Sequence, residues 1–415
     1  MTYANKKAIL KFGIIMILGV VVASAAMSTG VLADAPAETE YNDILNTTDG
    51  DGTDSNPYVL TNLDELQAVN SNLSAHYVLG NNINASETEN WNSGAGFTPI
   101  GNSSDPFAGS FDGKGYTVDG LSINRPNTDN SVGLFGVASS ADIKNIGVTN
   151  LDIQGATGVG GLVGLNRNTN ITKSYSTGSV TGNTDVGGLV GYNRNTNITK
   201  SYSTGSVTGA YDIGGLVGDN RLSSNITKSY SNSNVSGDAG VGGLVGHNRD
   251  SGYITKSYSN SNVSGDSPVG GLVGHNTGGS YINKSYSVGI VTGNLNVGGL
   301  VGDIYQATVI DSYWNIETST QETSAGSAIG LTKAEMTGSA AEMNMVGFDF
   351  TSVWRTVSAY DADSSADSYP ILDSSEEAVI VSESSSEEYG GMYTLVFVAL
   401  FFVLFSVMVL LFVKD

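Results

Sequence analysis

Between Val159 and Ile304 the apolar and polar positions recur in blocks, with "VGGLVGLNRNTNITKSYSTGSVTG" returning almost unchanged from copy to copy. Aligned on "GGLVG", the blocks begin at Gly161, Gly188, Gly215, Gly243, Gly271 and Gly299, spaced 27, 27, 28, 28 and 28 residues, and "VGLFG" at Gly133 is a degenerate earlier copy. A fixed period of this size marks a solenoid, a propeller or an array. Each copy holds short β-prone stretches, such as Ile171 with Tyr175 and then Val180, separated by "TG", "SG" and "GN" punctuation. No 3.6-residue apolar spacing runs through the repeats, which excludes helical solenoids, and a propeller blade needs ~40 residues. The pattern predicts an all-β chain: a right-handed parallel β-helix with one 27- or 28-residue repeat per coil, three short strands in each, and tight corners.

In such a stack each residue sits ~4.8 Å above its counterpart, so every column must tolerate meeting itself. Val159, Val186, Val241, Val269 and Val297 form one apolar column, and Leu162, Leu189, Leu216, Leu244, Leu272 and Leu300 another. Asn166, Asn193, Asn220, Asn248 and Asn276 predict an amide ladder that stops at Ile304. Tyr175, Tyr202, Tyr230, Tyr258, Tyr286 and Tyr313 predict an aromatic stack. Open strand edges aggregate, so both ends should be capped. Upstream, "TNLDELQAVNSN" predicts a short helix with Asn62 and Glu65 spaced as a capping box; downstream, Thr332 and Glu335 repeat the device and "GFDFTSVW" supplies aromatic cover. The organisation read from this is a linker over 34–56, an N-terminal cap with irregular coils over 57–132, repeats over 133–313 and a C-terminal cap over 314–372.

The two ends change the setting. Lys6, Lys7 and Lys11 precede "FGIIMILGVV" and a small-residue stretch ending at Ala33, the layout of a secretory signal over 1–33, cleaved or kept as an anchor. Met392 to Val413 is 22 residues without a charge, long enough at ~1.5 Å per residue to span a membrane, with 414–415 left as a cytoplasmic tail. Residues 373–391 are Ser-rich and acidic, and read as a self-repelling stalk. With a net charge of −22 and no Cys, the chain has no disulfide framework or thiolate metal site, and nucleic acid is excluded as a partner.

The "GGLVGxN" blocks resemble the GLUG-motif repeats of prokaryotic surface proteins. The entry "NPYVLTNLDELQAV", the stretch "FTPIGNSSDPFAGSFDGKGYTVDGLSIN" and the exit from "SYWNIETS" to "SYPIL" are similar to the flanks of such modules, so the resemblance covers roughly 41–372. It implies a β-helical extracellular module of the kind found in adhesin-like proteins and beside IgA-specific metallopeptidases, a scaffold more than a chemistry.

Candidate chemistry is sparse. His76, His247 and His275 are the only histidines, and none has the two-His, one-Glu helical spacing of a zinc protease. Asp219, His247, His275 and Asp303 share a column with Leu165 and Tyr192; they could meet a cation or mark a variable solvated corner, and no metal or cofactor is assigned. Asp185, Asp212, Asp238 and Asp266 fall at corners of successive coils, and no catalytic residue is assigned among them. "DGDGTD" at Asp49 to Asp54 only weakly resembles a calcium loop.

Two basic columns remain: Lys173, Lys200, Lys228, Lys256 and Lys284, and Arg167, Arg194, Arg221 and Arg249. Like charges one strand apart repel by roughly 0.9 kcal/mol even at the dielectric of water, so both columns should point outward, as a solubilising face or as a track for an anionic glycan. Asn170, Asn197, Asn225, Asn234, Asn262 and Asn283 are glycosylation acceptors by their sequons. The expected protein is a non-enzymatic, single-pass surface protein for adhesion or envelope structure, meeting the membrane through its C-terminal helix and surface glycans or envelope proteins through its body. The alternatives are a carbohydrate-binding or carbohydrate-cleaving β-helix, or an accessory module for a surface partner.

Overall fold

The computed structural model describes residues 35–127, 131–356 and 368–373. The segments read as signal peptide, membrane helix, tail and all but the first residue of the stalk lie outside these. Among the described residues, no helix is long and apolar enough to cross a membrane.

The described chain winds into a parallel β-solenoid. One coil runs through strands Thr157–Gly160, Val163–Arg167, Asn170–Thr172 and Tyr175–Thr181, and each strand pairs in parallel with its counterpart one repeat later. Stacking of these segments builds sheets of six, seven, ten and thirteen strands among the described residues. The coil thus has four strands where three were expected. The extra corner is made by the paired glycines: a Cβ on Gly160 would lie 2.3 Å from the Val163 carbonyl oxygen and 2.7 Å from the Gly191 nitrogen, so only glycine lets the chain fold back this tightly.

The interior is filled by the predicted Val and Leu columns and by Ile171, Ile198, Ile226, Ile254 and Ile282, all fully buried apart from the half-buried last valine, Val297. Serine does structural work that the repeat pattern did not reveal. Ser176 Oγ donates to the Gly188 carbonyl at 2.7 Å and Ser287 Oγ to that of Gly299 at 2.6 Å, so hydroxyls reach across the core to satisfy the glycine corner. A second serine column lines the next corner: the N–H of Ser174 donates to Ser201 Oγ, that of Ser201 to Ser229 Oγ and that of Ser229 to Ser257 Oγ, each at 3.2 Å.

The N-terminal end is closed by helices. Residues 34–56, read as linker, are in fact part of the cap from Ala35 onward: helix α1 (Tyr41–Thr47) buries Tyr41 and Leu45 against the core, and Gly52 accepts from the His76 N–H at 2.9 Å. One i, i+4 apolar pair is too short a pattern to announce a helix. In α2 (Leu63–Ala68), Asn62 accepts from the Glu65 N–H at 2.9 Å as a cap, but the Glu65 carboxylate takes the Thr61 N–H, one residue before the expected one. Gln67, wholly buried, mimics a further strand by pairing both ways with the Thr98 backbone at 2.9 Å.

At the other end, α3 (Ile316–Ser319), α4 (Lys333–Met336) and α5 (Gly338–Asn344) follow the last coil, and Thr332 with Glu335 completes a reciprocal capping box before α4. Phe348 and Trp354 stack 4.8 Å apart and cover the last tyrosines: Trp354 lies 5.7 Å from Tyr286 and 6.1 Å from Tyr258, and Phe348 lies 5.6 Å from Tyr313.

Candidate functional site

The strand Val163–Arg167 and its counterparts carry two kinds of column side by side. The inward column is amide: Asn166 donates to Asn193, Asn193 to Asn220, Asn220 to Asn248 and Asn248 to Asn276, at 2.9, 2.9, 2.8 and 2.9 Å, with all five side chains fully buried. The ladder ends where its register meets Ala138 on one side and Ile304 on the other, and there Asn166 Oδ1 and Asn276 Nδ2 are left without partners.

Flanking it, Leu165, Tyr192, Asp219, His247, His275 and Asp303 stand in register on the outside of the same strands. This column is not a solvated corner at its centre. Asp219 is fully buried and receives Arg249 through Nη2 at 2.5 Å and Nε at 3.2 Å, with Arg221 Nε 3.8 Å away. Arg221 also lies over the Tyr192 ring, 4.1 Å from its centroid. Two of the four column arginines therefore fold back onto the protein rather than pointing outward. A neutral-looking column had hidden a diagonal pair, an aspartate in one coil and the arginine two positions further along in the next.

The acids also regroup. Register places Asp185 opposite Asp212, both in the left-handed backbone region (φ 55° and 56°), but Asp238 and Asp266 in a different column. Burial, reinforced by the charges of Asp219 and Asp212, pushes the Asp185 carboxyl up to about 7. Burial likewise raises Asp219, against the pull of Arg249. His247 Nδ1 is 3.6 Å from Asp212, and His275 Nε2 is 2.7 Å from Asp303. Among the described residues, no three His, Asp or Glu side chains are grouped to hold a metal ion.

The five lysines sit at a corner, Lys173, Lys200, Lys228, Lys256 and Lys284 each in left-handed conformation with φ of 50–52° and half-exposed. The strand between them and the arginines shows Asn170 and Asn197 to solvent, with Asn197 donating to Asn170 Oδ1 at 2.9 Å; Asn234 and Asn262 are exposed on the next sheet, while Asn225 and Asn283 are half-buried. The tyrosine rings from Tyr175 to Tyr286 stack 4.7–5.1 Å apart with planes within 5°. Tyr175, Tyr202 and Tyr230 are half-buried and Tyr258 and Tyr286 buried, and rings stacked face to face offer no open face to a flat ligand.

Arg167 and Arg194 remain at the corner with Asn168, Asn195, Leu222, Ser223 and Asp250, lining an open groove of about 550 Å³. Residues 155–181 and 182–208, which carry this pair, match the model of the GLUG motif. These two coils are GLUG motifs. This chain is 41% identical over 137 residues to halomucin of Haloquadratum walsbyi, a match covering 32% of this chain and 2% of halomucin. It is also 35% identical over 124 residues to a protein of Evansella cellulosilytica provisionally named a Gly-rich membrane protein, covering 28% of this chain and 14% of that one. The chain thus spans only a small part of the relatives it matches. Among solved structures, a chain provisionally named an immunoglobulin A1 protease from Bacteroides ovatus superposes with a TM-score of 0.50 at 21% identity, over 78% of this chain and 94% of that one. That likeness concerns the fold.

Proposed function

We propose that this GLUG solenoid is a non-enzymatic cell-surface protein serving adhesion or envelope structure, exported by its N-terminal segment and held at the membrane by residues 392–413. The observation that carries the reading is the arrangement of the ends: a basic, then apolar leader before the solenoid, and an acidic Ser-rich stretch followed by 22 uncharged residues after it. Between them the solenoid supplies a stiff body whose lateral faces repeat from coil to coil. The names of two relatives, a halomucin and a Gly-rich membrane protein, support a surface setting. The test is to label intact and permeabilised cells through one epitope tag before Ala35 and another after Asp415. Labelling of the first on intact cells, and of the second only after permeabilisation, is expected; the reverse pattern, or recovery in the soluble cytosol, refutes the reading.

A second reading, carbohydrate cleavage, draws on the Asp185–Asp212 pair, since a carboxyl held near 7 beside another carboxylate is the pattern of an acid working with a base. Release of reducing ends from acidic or neutral polysaccharides that disappears in Asp185→Asn would favour it; no release by the wild type disposes of it.

A further inference from the structure

We propose that the groove at Arg167 and Arg194 binds the anionic groups, carboxylate or sulfate ester, of an acidic polysaccharide. The contrast inside one column singles it out. All four arginines stand in the same register, yet Arg249 and Arg221 are engaged with Asp219 and Tyr192. Arg167 and Arg194 have Leu165 and Tyr192 beside them where Arg221 has Asp219, and among the described residues no carboxylate pairs with either. Among the described residues Arg167 Nε is shielded from water with no hydrogen-bond partner, as is Arg221 Nε, but Arg221 has Asp219 3.8 Å away and the Tyr192 ring beneath it, whereas Arg167 has neither. Two guanidinium forks one strand spacing apart, ~4.8 Å, suit two oxyanion oxygens or successive charges on a polymer.

The rest of the groove fits a sugar better than a bare ion. Asn195 donates to Asn168 Oδ1 at 2.6 Å, and Asn168, whose amide nitrogen makes no hydrogen bond among the described residues, lines the groove. Leu222, 39% exposed, gives an apolar patch for the C–H face of a ring. Asp250 lines the groove as well, a carboxylate that repels an anion and so confines it to the Arg167 and Arg194 side. Beyond the corner, Asn170 and Asn197 continue a row of amides along which a chain can lie. Because the protein as a whole carries −22, a polyanion is repelled elsewhere and retention depends on this local charge. The oxyanion chemistry stands on the groove alone; the choice of a polysaccharide as its carrier rests on the surface reading.

The experiment measures binding of the full chain, purified in mild detergent, to immobilised polygalacturonate, dextran sulfate and neutral dextran at low and high salt. The same is done for Arg167→Gln/Arg194→Gln, Arg167→Lys/Arg194→Lys and a variant with the five column lysines changed to Ser, circular dichroism checking that each is folded. Salt-sensitive binding to one or both polyanions is expected, weakened roughly tenfold or more in the double Gln variant, partly kept in the double Lys variant and kept in the lysine-column variant. Whichever polymer is held tells carboxylate from sulfate. Absence of binding to either polyanion, equal binding by the double Gln variant, or loss on removing the lysines alone overturns the proposal. Binding by the purified chain together with cytosolic labelling in cells would leave the oxyanion site standing and sink the surface reading alone.

Discussion

Arg167 and Arg194 share a column and a local sequence with Arg221 and Arg249, yet the first pair lines an open groove while Arg249 is hydrogen-bonded to a buried carboxylate and Arg221 lies near that carboxylate and over Tyr192. The difference is set by the neighbouring column, where Leu165 and Tyr192 give way to Asp219. In a solenoid, a repeated residue is not a repeated role. Inward columns meet only themselves and so must be uniform, whereas outward side chains are long enough to reach diagonally, and one aspartate reassigns two arginines.

Variants that break this contrast should differ widely in cost. The largest effect is expected inside: Asn220→Ala strips partners from Asn193 Nδ2 and Asn248 Oδ1 and leaves a gap in the ladder, which should cost about 3–4 kcal/mol in urea unfolding. Next, Arg249→Met leaves the Asp219 charge buried without its hydrogen-bonded partner, with the more distant Arg221 and the neighbouring His247 beside it, for a loss of about 3 kcal/mol at neutral pH that shrinks in acid as Asp219 takes up a proton.

Asp185→Asn sharpens the picture from the opposite side. Its folded-state carboxyl, near 7, lies above the unfolded value, so its charge opposes folding above pH 7, and the penalty fades as pH falls from about 7 towards 4. The Asn variant should therefore be more stable than wild type by up to about 4 kcal/mol at pH 8 and close to it at pH 4, with Asn tolerated at φ 55°. The smallest change is Arg167→Gln, which should move stability by less than about 0.5 kcal/mol because among the described residues this side chain has no hydrogen-bond or ion-pair partner to lose.

Much of the fold is legible in the chain because parallel stacking converts sequence period directly into register: the Asn, Val and Tyr columns line up residue for residue with the strand pairs, and the Leu column bonds N–H to carbonyl from corner to corner. What escapes is whatever depends on contacts between columns. The fourth strand per coil comes from a backbone fold at Gly160 and Gly161 that looks, in sequence, like an ordinary glycine-rich stretch, and the serine bond from Ser176 to Gly188 spans the core. The helix at Tyr41–Thr47 shows too few apolar positions to stand out from a linker. The candidate groove was half visible: the arginine column is plain, but its division into bound and unbound pairs follows from a diagonal pairing that no period reports, and Asn168, Asn195 and Leu222 join it only because three corners stack.

A carboxylate in the neighbouring column decides whether a column arginine is engaged or free, and Leu165 offers the direct test. Leu165→Asp puts an acid in the relation to Arg194 that Asp219 has to Arg249, and Leu165→Asn supplies the same shape without the charge. Binding of each variant to polygalacturonate and dextran sulfate is the measurement. Loss of binding in the Asp variant with retention in the Asn variant is the predicted result; equal retention in both would contradict the claim.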